Sequence, residues 1–316
     1  MKDKPKVLVV GAGTMGHAIA QVFATYQYPT TLVDNNPEQL ANAKSLIRAN
    51  LSVFEKLGDM TAEQCEEVIK RINFASDLKE AALGAEFVVE AVPEDPAVKA
   101  RVFAALDEAC SREAILASTT SVLNIYEYVK VSNPGRLIIA HFFNPAYIIP
   151  LVEIVMGPET TEETVNRVKE IVYDLEKLPA VLRQYVPGFI VNRLTAAIAR
   201  EAGYMVTMGW TTWEDVDRAV IANYGPKFAF EGPLELFDHI GWDVGKVVGM
   251  YLFPQLCNST DSLALADQMV EQGRLGVKSG RGLKDYSQRS REEIQAERNL
   301  KILKMVRCMR KLAQES

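Results

Sequence analysis

The chain has 316 residues and three histidines, and one of these, His141, closes an apolar run, Leu137–Ala140. Twelve residues on, Glu153 interrupts a second apolar run, Leu151–Val155. An imidazole titrates near neutrality, so it can take the proton of a hydroxyl group while hydride leaves the adjoining carbon. A carboxylate in an apolar strand needs a partner if it is buried. Beside the ring it would orient the imidazole and stabilise its protonated form, as a base and its orienting group do. Contact requires the two strands to be neighbours, which spacing does not establish. The bland alternative is a buried histidine satisfied by a backbone carbonyl.

A second group of residues suits a dinucleotide. In the stretch VLVVGAGTMGHAIA, Gly11, Gly13 and Gly16 have G-x-G-x-x-G spacing, with Ala12, Thr14 and Met15 between them. The glycines follow a short apolar run and open a helical pattern. Gly11 allows the tight turn, Gly13 lets the backbone approach a pyrophosphate, and Gly16 lets helix and strand pack closely. The helix N-terminus attracts the phosphates. Asp34 lies 21 residues after Gly13, at the end of the next apolar run. A carboxylate there accepts from the ribose hydroxyls and repels a 2′-phosphate. Asn35, Asn36 and Pro37 supply no offsetting cation, so NAD is favoured over NADP; the glycine motif alone leaves FAD open. His17, one residue past Gly16, is placed to approach a cofactor without catalysing anything.

These residues need a sheet to carry them. Strands are expected at Lys6–Val10, Thr30–Val33, Phe87–Ala91, Ile115–Ser118, Arg136–Ala140 and Leu151–Val155. Helical patterns at 14–27, 36–57, 61–71, 96–110 and 162–175 separate most of them, with Thr61 and Gln64 spaced for a capping box. Such alternation predicts an α/β, doubly wound Rossmann-type parallel sheet, with His141 facing the crevice at its carboxyl edge. From Pro187-Gly188 onward the pattern is helical, at 189–207, 212–222, 234–240, 262–272 and 292–312. The expected organisation is therefore a nucleotide-binding domain, residues 1–186, and an all-α domain, residues 187–316.

Composition narrows the function classes. A net charge of −6 argues against a nucleic-acid binder, which should present a basic face. The four cysteines are scattered without metal-ligand or disulfide spacing, which fits a reducing compartment and no metal site. No signal-peptide core and no run of membrane-spanning length is present, so a cytoplasmic protein is expected.

The segments GAGTMG, ASTTSVLNI, HFFNPAYIIPLVEIV, VPGFIVNRL and LGVKSGRGLKDY, in this order over nearly the whole chain, together resemble the L-3-hydroxyacyl-CoA dehydrogenase family. The resemblance implies His141 as catalytic base and Glu153 as its carboxylate partner. It implies that Ser121 hydrogen-bonds the substrate oxygen and that Asn192 lies at the catalytic centre. It also implies NAD contacts from Glu94, Lys99, Asn144 and Lys278. The bland readings are caps or turns for Ser121 and Asn192, a solvated pair for Glu94 and Lys99, and a surface charge for Lys278. The implied substrate is a small 3-hydroxy or 3-keto acyl compound, a CoA thioester first, and the implied assembly is a homodimer through the helical domain.

One departure bears on the thioester. CoA-using members of the family carry a basic helical hairpin after the second strand. Between Ser45 and Arg71 this chain has four cations, Arg48, Lys56, Lys70 and Arg71, against five carboxylates, Glu55, Asp59, Glu63, Glu66 and Glu67. An acidic hairpin does not suit several phosphates. PAYIIPLVE and GPKFAFEGPLE also resemble the carnitine dehydrogenase and gulonate dehydrogenase/lambda-crystallin branch, whose substrates are free 3-hydroxy acids. That gives a second reading, a free-acid dehydrogenase, and a third, a crystallin-like structural protein. A full catalytic set argues against the third.

Overall fold

The structure, a computed structural model, describes residues 4–315. The chain divides into two compact units, the first ending at Ile190 and the second starting at Val191. The change of sequence pattern at Pro187-Gly188 falls just before that division.

The first unit runs β1 (Val7–Val10), α1 (Gly16–Thr25), β2 (Thr30–Val33), α2 (Pro37–Lys56), α3 (Ala62–Lys70), β3 (Ile72–Ala75), α4 (Leu78–Ala82), β4 (Phe87–Glu90), α5 (Pro96–Ala109), β5 (Ile115–Ser118), α6 (Ile125–Tyr128), β6 (Leu137–Phe142), β7 (Leu151–Val155), α7 (Glu162–Asp174) and β8 (Leu178–Leu182). Its strands form one sheet in the order β3-β2-β1-β4-β5-β6-β7-β8. All four residues of β1 are buried, as expected of a strand covered on both faces. Alternate side chains serve opposite layers. Val7 and Val9 belong to one core layer with Phe23, Ile47, Val68 and Val168, from α1, α2, α3 and α7. Leu8 and Val10 pack with Ala82, Phe103, Leu106 and Ile125, beneath α4, α5 and α6.

The helix starts follow capping chemistry. Asn36 accepts from the Glu38 N–H and Pro37 occupies the first turn of α2; Thr61 and Gln64 cap α3 reciprocally; Asp95 accepts from Ala97 and Val98 at α5. Each such cap satisfies N–H groups the helix cannot.

The wholly parallel sheet expected from the alternating pattern is corrected at one place. Strands β1 to β6 are parallel, but β7 runs antiparallel to β6. Only residues 143–150 join them, whereas a parallel return needs roughly a dozen or more residues. The antiparallel pairing sets His141 directly opposite Glu153. Strand β8 then pairs parallel with β7 after the crossover helix α7.

The second unit is helical: α8 (Val191–Thr207), α9 (Trp213–Ala219), α10 (Gly225–Lys227), α11 (Leu236–Ile240), α12 (Trp242–Leu252), α13 (Ala264–Glu271) and α14 (Arg291–Glu315). Isolated β-bridges at Gly276–Arg281 and Arg281–Asp285 close a small loop between α13 and α14. Among the described residues, no helix is long and apolar enough to cross a membrane.

Candidate active site

The glycine turn joins β1 to α1 at the carboxyl edge of the sheet. Gly11 has φ +100°, and a Cβ there would lie 2.8 Å from the Ala91 carbonyl oxygen. A Cβ at Gly16 would lie 1.7 Å from the Gly11 carbonyl oxygen. These two glycines are therefore required by the fold itself. Gly13 differs, because a Cβ there would meet nothing within 4 Å. Its value lies in leaving the backbone open to a close approach from outside, which is what a pyrophosphate needs. The turn is braced by Asp34, whose carboxylate accepts from the Ala12 N–H at 2.8 Å and the Asn36 N–H at 2.9 Å. Each carboxylate oxygen retains a lone pair for a further donor.

Gly11, Gly13, Thr14, Met15 and Asp34 line a cavity of about 830 Å³, walled on the other side by Ser76, Lys79, Pro93 and Val98. This is the shape and chemistry of an adenosine-diphosphate cleft. His17 Nδ1 donates to the Gly13 carbonyl at 2.8 Å. Burial lowers its pKa, offset in part by that carbonyl, and a neutral ring makes Nδ1 the donor.

At the far end of the same sheet edge, His141 Nδ1 lies 2.9 Å from Glu153 Oε2. Glu153 is fully buried and His141 nearly so. A carboxylate only accepts, so Nδ1 carries the proton and Nε2 keeps its lone pair for a substrate. Glu153 Oε1 accepts from the Ile190 N–H at 2.9 Å. The chain reaches that point through two consecutive left-handed residues, Gly188 at φ +78° and Phe189 at φ +53°. A buried phenylalanine in that conformation is strained, and what it gains is contact. The Phe189 ring lies edge-on to the imidazole at 5.5 Å, and Phe143 covers it at 4.4 Å. Nothing in composition or spacing singles out Phe143 or Phe189; the available signal was the Pro187-Gly188 pair, which announces an unusual turn.

Between the glycine turn and His141 lie the ends of β4 and β5. Lys99, reached by one turn of α5, is 1% exposed, and its ammonium lies 2.8 Å from Glu90 Oε1 and 3.1 Å from Glu94 Oε2. It is thus neither a solvated charge nor a surface cation. Glu90 also accepts from the Val92 N–H and from the Ser118 hydroxyl. Glu94 accepts from the Thr120 hydroxyl and from the Ser121 N–H at 3.0 Å. Burial disfavours the charged Glu94, but the Thr120 hydroxyl, the Lys99 ammonium and the Ser121 N–H outweigh it and hold the carboxyl below its usual range. Ser121 is half-buried on the loop this network fixes, and on the same loop the Thr119 N–H donates to the Glu90 carbonyl while its hydroxyl oxygen accepts from the Phe142 N–H.

Asn144 is exposed on the β6–β7 connection, followed by a cis bond to Pro145. That connection is held by buried Lys177, which donates to the Ala146 and Ile149 carbonyls, each at 2.7 Å. The other two expected site residues belong to the second unit. Asn192 is half-buried in the first turn of α8, and Lys278 is exposed in a short 3₁₀ turn, Val277–Ser279. Among the described residues no cluster of histidine, cysteine, aspartate and glutamate could hold a metal ion.

Comparison with known proteins gives the family. The family model described as 3-hydroxyacyl-CoA dehydrogenase, NAD binding domain, matches residues 6–185, and the one described as 3-hydroxyacyl-CoA dehydrogenase, C-terminal domain, matches residues 188–286. The 5-formyl-3-hydroxy-2-methylpyridine 4-carboxylate 5-dehydrogenase of Mesorhizobium japonicum (strain LMG 29417 / CECT 9101 / MAFF 303099) is 31% identical over 304 residues, 96% of this chain and 97% of that protein. A crystal structure of a dehydrogenase of that activity, described as an NAD⁺-dependent dismutase, superposes with a TM-score of 0.88 at 30% identity, covering 97% of this chain and 99% of the other. A probable 3-hydroxybutyryl-CoA dehydrogenase of Bacillus subtilis (strain 168) is 34% identical over 287 residues, 90% of this chain and 98% of that protein.

Proposed function

Because the chain belongs to the 3-hydroxyacyl-CoA dehydrogenase family and is an NAD-dependent dehydrogenase, we propose that it interconverts a hydroxyl and a carbonyl group on a small 3-hydroxy or 3-keto acid, with His141 and Glu153 handling the proton. The observation that carries this reading is the 2.9 Å contact between His141 Nδ1 and Glu153, both buried at the sheet edge that carries the glycine turn. NAD, when bound, supplies the acceptor for the carbinol hydride. Gly11 to Gly16 and Asp34 hold it, aided by Glu94, Lys99 and Asn144, with Lys99 acting through Glu94. His141 takes the hydroxyl proton at Nε2 and returns it in the reverse direction. Glu153 fixes the tautomer and stabilises the imidazolium. Phe143 and Phe189 shield the ring from water, which strengthens that ion pair. Ser121 holds the substrate oxygen.

The α2–α3 hairpin bears on the handle of the substrate. Arg48 pairs with Glu66 and Lys70 with Glu67, while Arg71 donates to the Ala24 carbonyl. Two of the four hairpin cations are thus ion-paired, and the hairpin's five carboxylates outnumber its four cations, which does not suit a phosphorylated CoA arm. A relative alike over nearly the full length is named for a pyridine carboxylate, a small free acid. A free acid is therefore the first reading. The CoA thioester is the second, favoured by the relative named for 3-hydroxybutyryl-CoA. NADH consumption with acetoacetyl-CoA beside free acetoacetate, 3-dehydrocarnitine and a sugar-acid ketone tests the choice. A strong preference for the thioester would overturn the free-acid reading, and no NADH consumption with any of them would overturn the 3-hydroxy or 3-keto acid as substrate.

The helical unit is read as a homodimer interface. On α12 the only buried residue is Gly249, and Val247, Met250 and Tyr251 are each about two-thirds or more exposed. A second copy of this chain is the natural cover for so much apolar surface.

A further inference from the structure

Three ionisable groups, Glu90, Lys99 and Glu94, meet at the ends of β4 and β5, and their charges do not balance. Glu90 is 0% exposed and Lys99 is 1% exposed, so the two form a closed ion pair. The same ammonium also serves Glu94 at 3.1 Å, but Glu94 keeps 36% of its side chain exposed. Two carboxylates against one ammonium leave a net charge of −1, and the accessible part of it is Glu94. The position matters. In a doubly wound sheet a dinucleotide lies across the carboxyl ends of the strands, with its adenosine half toward β2. Asp34 ends β2, Gly11 follows β1, Glu90 ends β4, Thr119 to Ser121 follow β5, and His141 nearly ends β6. A nicotinamide serving a substrate at His141 must therefore end over β4 and β5, beside Glu94.

We propose that the Glu90–Lys99–Glu94 cluster selects the redox state of the cofactor, with Glu90 supplying the charge that keeps the cluster negative. The oxidised nicotinamide ring is a cation and the reduced ring is neutral, so a fixed negative charge beside it favours NAD⁺ over NADH. Without Glu90, Lys99 would neutralise Glu94 and the preference would fade. Glu90 touches neither substrate nor cofactor; it is a positioning residue that acts through Lys99. The inference rests on the cofactor and its orientation and is independent of the substrate.

The test is a pair of dissociation constants, for NAD⁺ by calorimetry and for NADH by fluorescence, without substrate. Glu90→Gln removes one charge and keeps the shape: its carbonyl can accept from Lys99 and Val92 while its amide donates to Ser118. The ratio Kd(NAD⁺)/Kd(NADH) should rise about three- to tenfold. A role confined to holding the loops would weaken both cofactors equally, and an unchanged ratio overturns the proposal. Should Glu90→Gln fail to fold, Glu94→Gln, at the exposed member, decides alone by the same ratio.

Discussion

A carboxylate that accepts from two fixed donors cannot be replaced by an amide without losing one of them. Glu153 takes His141 Nδ1–H on one oxygen and Ile190 N–H on the other. Glu153→Gln must turn its NH₂ toward one of these donors, misplacing either the tautomer or the chain at Ile190. Turnover should fall about 10²- to 10⁴-fold, with the Kd for NADH nearly unchanged, in steady-state and binding assays. Phe189→Ala should cost about 3–4 kcal/mol in denaturant unfolding, since the ring is buried against the imidazole. Glu94 gives a pH signature. Its folded pKa is below its unfolded one, so its contribution is complete above about pH 4.5 and is lost as pH falls further. Glu94→Gln should therefore lose less melting temperature than the native chain between about pH 6 and pH 3.5. At this scale His141 and Glu153 were legible, because a scarce histidine at a strand end and a carboxylate within an apolar strand are both conspicuous. Phe189 and Glu90 were not. Their contacts come from a left-handed turn and from partners on other elements, which periodicity does not encode.

The elements show why some of the sheet was legible and some was not. Apolar runs flanked by helices gave β1, β2, β4, β5, β6 and β7 nearly to the residue. Strand β8 contains Pro179, and proline demotes a run unless it lies at a sheet edge, where β8 does lie. Strand β3 is only partly buried, with an exposed asparagine, so it lacks an apolar signal. The antiparallel turn of β7 was encoded by the short 143–150 connection, a length argument that hydrophobic patterning overlooks. The glycine turn yields a separable prediction. Gly16→Ala should destabilise the fold by about 1–3 kcal/mol or more, since its Cβ has no room. Gly13→Ala should leave the melting temperature unchanged yet raise the Kd for NAD about tenfold or more, because its space is kept for the phosphates. Equal losses of stability in the two variants would contradict that division of labour.

At the scale of the whole molecule, the nucleotide-binding unit was legible from the order of its motifs, and the helical unit from the change of pattern near Pro187. What that second unit does with its apolar surface was not legible, because a core and an interface share one composition. A chain of 35.1 kDa should sediment as a species of about 70 kDa at micromolar concentration if a second copy covers α12. A monomer would refute the dimer while leaving the chemistry intact. The chemistry itself is tested most directly by His141→Ala. Turnover of a 3-keto acid with NADH should drop about 10²- to 10⁴-fold while NADH binds as tightly as in the native protein. Unchanged turnover would contradict the assignment of His141 as the group that moves the proton.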